Sequence, residues 1–261
     1  LSRNSGEGKD RRPVAGDLFL SATEIRDINL LNEHYDKFML VLNTGGPVDL
    51  SAVAGVENIL LLSQLGVETG RVLAEALCGK ATPSGKLTTT WTDWEDYCPA
   101  ISFGADADTD YREGIYVGYR YFATVGKQAR FPFGHGLAYT SFDWKLDKVC
   151  TEGEEILVYA TVQNKGAYAG KEVMQLYVSV PEKRLHHPWL SLCGFAKTKL
   201  LQPQESEQVV IRFRMGEIAS YDEQRKCYFL EQGDYTLRLG NSSDDTEAIA
   251  CLQLREEVIT R

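Results

Sequence analysis

Apolar positions in the first ninety residues recur with two different periods. Between Ser21 and Phe38, the residues Ile25, Ile28, Leu31, Tyr35 and Phe38 fall three or four apart. That is the spacing of one helical stripe, and Ser21 followed by Glu24 supplies a capping-box sequence at its start. Met39-Leu40-Val41-Leu42 is then a continuous apolar run closed by Asn43-Thr44-Gly45-Gly46-Pro47, and Asn58 to Leu62 repeats the signature. Short apolar runs between turn residues predict buried strands. Val67, Val72, Leu73, Ala76 and Leu77 restore the helical period, which Gly79 and Pro83 stop. Thr88-Thr89-Thr90-Trp91 predicts one more strand. Helix, strand, strand, helix, strand, joined by short turns, is the order of an α/β layer with a mainly parallel sheet.

Beyond about residue 95 the pattern predicts no further helix. Residues 96–110 read as loop, while Tyr111 to Phe122 and Arg130 to Tyr139 are dense in aromatics and Gly but too broken for a regular element. From Phe142 onward the chain reads as short strands, including residues 156–162, 173–178, 209–213 and 235–239. Turn sequences such as Asn164-Lys165-Gly166 and Gln232-Gly233-Asp234 lie between them. Their spacing predicts an antiparallel sandwich of about 110 residues. The expected organisation is α/β followed by all-β. An incomplete α/β sandwich domain takes residues 1–122, its natural start lying upstream of Leu1. A connecting segment follows at 123–141, then a β-sandwich at 142–255 and a tail or linker at 256–261.

Charge narrows the partners. The chain has 28 Lys and Arg against 37 Asp and Glu, a net charge of −9, which excludes a basic face for nucleic acid. With 43% hydrophobic and 25% charged residues the composition excludes disorder. No apolar run approaches the roughly 20 residues of a membrane span. Six cysteines are scattered without a Cys-x-x-Cys or a His at ligand spacing, so reduced thiols are expected rather than a disulfide scaffold or zinc site. The opening residues show no signal-peptide pattern, and the expected setting is therefore cytoplasmic rather than secreted.

Most candidate motifs fail on spacing. Gly8-Lys9 would need Gly at position 3 and Ser or Thr at position 10 to be a phosphate loop, and Arg3 and Asp10 stand there. Pro47 breaks the dinucleotide reading of Gly45-Gly46. His186-His187, beside Pro188, reads as a solvated loop rather than a metal site. What remains is Glu7, held between Gly6 and Gly8 on a loop whose glycines predict that only a partner surface orders it. It is either a plain surface residue or a general acid that a substrate can reach. Lys9, Asp10, Arg11 and Arg12 follow, so both signs of charge sit beside it. Glu113 is the rival carboxylate, but Tyr111, Tyr116, Tyr119 and Tyr121 around it read as a packed structural segment.

Four segments resemble glycoside hydrolase family 3: residues 5–11 (Ser-Gly-Glu-Gly-Lys-Asp-Arg), 83–87 (Pro-Ser-Gly-Lys-Leu), 111–121 and 131–140. Ala138 stands where the last of these commonly has Ser. The resemblance covers nearly the whole chain and implies a β-glucosidase-like, exo-acting hydrolase of three domains: a TIM-like barrel, an α/β sandwich domain and a fibronectin type III-like domain. This chain resembles the latter two. The resemblance further implies a retaining mechanism with the acid/base at Glu7, supported by Asp10 and Arg11 of the same loop. The Asp nucleophile would lie on a barrel absent from this sequence. It implies a β-glucoside or oligosaccharide substrate, the barrel of the same enzyme as partner, no metal and no cofactor. The competing expectation is a carbohydrate-binding or interaction protein without catalysis, built from the same two domains. That reading needs an exposed aromatic platform, whereas Trp91, Trp94, Trp144 and Trp189 are each expected in a core.

Overall fold

The computed structural model describes residues 1–3, 11–97 and 111–260. Helices and parallel strands lie early in the chain and antiparallel strands late, as the hydrophobic pattern predicts. Packing groups the chain into two compact units that interleave in sequence. The first takes Leu1–Ala81, Thr89–Gly114 and Ala129–Phe131; the second takes Thr82–Thr88, Ile115–Gln128 and Pro132–Arg261.

The first unit is built on a parallel sheet of β1 (Ser2–Arg3), β2 (Leu40–Thr44) and β3 (Ile59–Leu61), with β2 central. Leu40 and Leu42 are buried on β2, and Leu18, Leu20, Val53 and Trp91 are buried in the same unit. Helix α1 spans Ala22–His34 and carries the expected capping box. The Ser21 hydroxyl accepts from the Glu24 amide (3.3 Å) while the Glu24 carboxylate accepts from the Ser21 amide (2.8 Å). The helix stops short of Phe38 because Tyr35 turns extended, and of the expected stripe only Ile28 is buried; Leu31 and Tyr35 are exposed. Helix α2 spans Thr69–Leu77.

Two expectations are corrected here. Thr88–Trp91 is not a strand: only Trp91 pairs, through reciprocal backbone bonds of 2.8 Å with Phe131. Helices also do not end at residue 95, since α3 spans Tyr119–Val125. Positive-φ glycines bound it, Gly118 before and Gly126 after, and Phe122 is its one buried residue. A seven-residue helix made by its glycine ends leaves no apolar period to read.

The second unit contains the sandwich. One sheet orders β4 (Phe142–Glu152), β5 (Glu155–Asn164) and β8 (Ser206–Arg214). The other involves β6 (Val173–Ser179), β7 (Ser191–Lys197), β11 (Gly233–Gly240) and β12 (Thr246–Leu254), in the order β12-β11-β6-β7. A small sheet adds β9 (Ser220–Asp222), β10 (Cys227–Leu230) and β13 (Val258–Thr260). All these pairings are antiparallel. Val158, Ala160 and Val162 alternate into the core from β5, and meet Leu176, Ile211 and Leu237 in one cluster. Among the described residues no helix is long and apolar enough to cross a membrane.

Two of the motif segments are joined in this unit. The amide of Leu87 donates to His135 and that of Gly134 to Leu87, both at 2.8 Å. Lys86 Nζ reaches Glu172 (2.8 Å) and the Gly136 carbonyl (3.1 Å), with 13% and 12% of the paired side chains exposed. Burial, aided by the Lys86 charge, pushes the His135 imidazole down from its ordinary pKa. Gly134 has φ +80°, and a Cβ there would fall inside the Gln175 amide. Gln175 cannot retreat, because its Nε2 is bonded to the carbonyls of Gly134 (3.1 Å) and Asn241 (2.6 Å) and its Oε1 accepts from Tyr177 (2.6 Å). We predict that Gly134→Ala costs the second unit about 2–5 kcal/mol, from left-handed strain plus broken buried hydrogen bonds. A melting curve of the variant checks this: an unchanged transition contradicts it.

Candidate functional site

Glu7 and Asp10, and with them the expected adaptability of their loop, lie outside the described residues. The residues on either side are described, and both are tied down. Arg3 is the last residue of β1, opposite Thr44 of β2. Its guanidinium grips Glu24 with both forks, Nη1 to Oε1 at 2.7 Å and Nη2 to Oε2 at 2.6 Å, while Nε donates to the Asp17 carbonyl at 3.1 Å. Arg11, after the loop, donates from Nη1 to the same carbonyl (3.4 Å) and to Asp17 Oδ1 (3.1 Å). Asp17 Oδ2 accepts the Arg12 amide at 2.9 Å. Arg11 Nε and Nη2 are buried and have no hydrogen-bond partner among the described residues.

Local sequence explains the anchor. Gly16, at φ +86°, turns the chain so that its amide meets the Phe19 carbonyl (2.8 Å). Leu18 and Leu20 then enter the core, and the Leu18 carbonyl accepts the Asp49 amide (2.8 Å). Asp49 is itself saturated: Oδ1 accepts the Ser51 amide and hydroxyl, and Oδ2 the Trp94 amide. Sequence reading names Arg11 for the loop and Glu24 only as a cap. It misses Arg3, whose partners Asp17 and Glu24 lie 14 and 21 positions away, and Asp17, which joins Arg3 to Arg11 and leaves no periodic pattern.

Other expected features resolve differently. Tyr111 is 88% exposed and Glu113 half-buried, with residues 111–114 forming a turn closed from the Gly114 amide to the Tyr111 carbonyl (3.2 Å). The packed aromatic segment expected there is made further on, by Tyr119 stacked on Phe133 at 4.6 Å. His186 is exposed as expected, but the His187 side chain is only 9% exposed, lying against Ser220 (3.2 Å) and Glu231 (3.5 Å). Among the described residues no three metal-ligating side chains gather. Cys78, Cys150, Cys193, Cys227 and Cys251 are unpaired, and burial pushes the Cys193 thiol up to about 12, which leaves it unreactive. Trp91 is buried, whereas Trp189 is 54% exposed, contrary to expectation, with the Arg238 guanidinium over its ring at 5.4 Å.

Comparison with known proteins supplies the class. The family model for the glycosyl hydrolase family 3 C-terminal domain matches residues 1–139, and that for a fibronectin type III-like domain matches residues 172–243. The chain belongs to glycosyl hydrolase family 3, and its fold is that family's C-terminal α/β domain followed by a fibronectin type III-like sandwich. It is 36% identical to beta-glucosidase A of Butyrivibrio fibrisolvens, over 95% of this chain and 36% of that protein. It is 34% identical to a beta-glucosidase of Ruminococcus albus, over 96% and 27%. Among solved structures it is similar to a beta-glucosidase from Paenibacillus barengoltzii, with TM-score 0.93, 37% identity, and coverage of 98% of this chain and 30% of that one. Beta-glucosidase 3B of Thermotoga neapolitana, solved with alpha-D-glucose, gives 0.92 and 38%, covering 100% and 38%. The chain thus spans about a third of the length of these relatives.

The Arg3–Glu24 fork makes a pH prediction. Hydrogen bonding from Arg3, opposed by burial and helped by Ser21, holds the Glu24 carboxyl down at about 2 against an ordinary 4.5. A depressed carboxyl contributes stability fully above its unfolded pKa and loses it as pH falls through the folded one. The window is therefore about pH 4.5 down to 2. With 26% of the Glu24 side chain exposed, the contribution at neutral pH is discounted to about 1–2 kcal/mol. Denaturant unfolding of Glu24→Gln should show that deficit at pH 7 and a shrinking one toward pH 2. A deficit independent of pH contradicts the assignment.

Proposed function

We propose that this chain is the non-barrel portion of a retaining, exo-acting β-glycosidase that hydrolyses terminal β-D-glucosyl residues, with Glu7 as its general acid/base. One observation carries the reading: nearly the whole chain matches proteins named beta-glucosidases, about a third of whose length it covers. The uncovered remainder has room for a barrel of some 200 residues or more.

On this reading Glu7, protonated, gives its proton to the glycosidic oxygen as the bond from C1 to that oxygen breaks. An Asp carboxylate from the barrel attacks C1 and forms a covalent glycosyl-enzyme, and the aglycone leaves as an alcohol. Glu7, now a carboxylate, takes a proton from water as the water oxygen attacks C1 and releases the Asp. Two inversions give retention, with the carboxyl groups roughly 5 Å apart. Acid and nucleophile are both side chains, and the scheme calls for no cofactor.

Half of that pair is not in this chain. We predict that the purified 261-residue chain shows no Glu7-dependent turnover of an aryl β-glucoside, and specific turnover would refute it. In the full-length protein, Glu7→Gln should spare glycosylation by a dinitrophenyl β-glucoside, whose leaving group departs unprotonated. It should slow an alkyl β-glucoside by about 10²–10⁴-fold. Azide, a nucleophile needing no deprotonation, should restore turnover of the activated substrate. If Glu113→Gln shows this leaving-group dependence and Glu7→Gln does not, the acid/base is Glu113.

A further inference from the structure

We infer that Asp17, with the Arg3–Glu24 pair, positions the acid/base loop by clamping both of its ends to one point; the inference rests on the assignment of Glu7. A general acid must meet the leaving oxygen within hydrogen-bond reach, and a misplacement of about 1 Å can cost 10²-fold in rate. The structure describes the two flanks of that loop, and a positioning contact from the described residues acts through them.

The ends are residues 3 and 11, and one peptide oxygen serves both. The Asp17 carbonyl accepts Arg3 Nε at 3.1 Å and Arg11 Nη1 at 3.4 Å. Asp17 adds its two carboxylate oxygens to the far end, one on Arg11 and one on the Arg12 amide. Glu24 adds a two-pronged grip on the near end. Guanidinium forks fix angle as well as distance, which a single apolar contact does not. Asp17 is rigid in its turn, since its own amide donates to Val14 (3.2 Å) and Leu18 beside it is buried. Arg11 retains two buried, unused donors, Nε and Nη2, so Asp17 is the only group among the described residues that orients it.

The test is made in the full-length enzyme, with Glu7→Gln run in parallel. Asp17→Ala should lower kcat/KM for an alkyl β-glucoside by about 10–100-fold. Glycosylation by the dinitrophenyl β-glucoside should change little, and azide should raise turnover of that substrate as it does for Glu7→Gln. Asp17→Asn, which keeps one side-chain oxygen for Arg11 or the Arg12 amide, should recover part of the loss. If Asp17→Ala does not fold, Arg11→Lys carries the same test, keeping the charge and losing the Nη1 donor that meets both Asp17 oxygens. Leaving-group dependence in Glu7→Gln, combined with equal losses on both substrates or none in the Asp17 and Arg11 variants, overturns the positioning role alone. Its absence in Glu7→Gln removes the acid/base assignment first, and the positioning role falls with it.

Discussion

One charged fork, Arg3 on Glu24, ties β1 to the start of α1. Ser2 and Arg3 pair with Asn43 and Thr44 of β2, and the Leu1 carbonyl beside them accepts the Asn43 amide at 2.9 Å. The Arg3 guanidinium adds a grip on Glu24 to this backbone pairing. The same Oε2 that meets Arg3 Nη2 also accepts the Ser21 amide that starts α1. One carboxylate therefore caps a helix and anchors a strand. Helix α1 itself buries only Ile28, so it contributes little apolar surface to this junction.

The motif segments divide by what they do. Lys86, Gly134, Gly136 and Phe133 are scaffold: an ion pair to Glu172, a glycine pressed on Gln175, and rings stacked on Tyr119. Their chemistry is buried and satisfied, so it is spent on structure. The segment from Ser5 to Arg11 sets a carboxyl between two glycines and, among the described residues, leaves donors unused at its edge, on Arg11. A motif match says that a position is constrained. Burial and partners say by what.

Fold class was legible because it rests on periodicity. The central strands β5, β6 and β11, with β8 at the edge beside β5, face a common core and read as apolar runs. The edge strands β7 and β12 are less readable, being half-exposed along much of their length. Helix α3 escaped notice because its glycine ends define it. Glu7, outside the described residues, is singled out by its glycine-flanked carboxyl and by the resemblance. Asp17 was not, because its role exists only once Arg3 and Arg11, eight positions apart, converge on its carbonyl. Trp189 shows the limit of averages: burial is the common fate of tryptophan, yet Arg238 covers this one in place of a core.

At the described flanks of the Ser5–Arg11 segment the charge is balanced rather than free. Asp17 meets Arg11 at 3.1 Å and offsets that cation, while its second carboxylate oxygen accepts the Arg12 amide. Its carbonyl accepts from Arg3 as well as from Arg11, so one residue ties the flank before the segment to the flank after it.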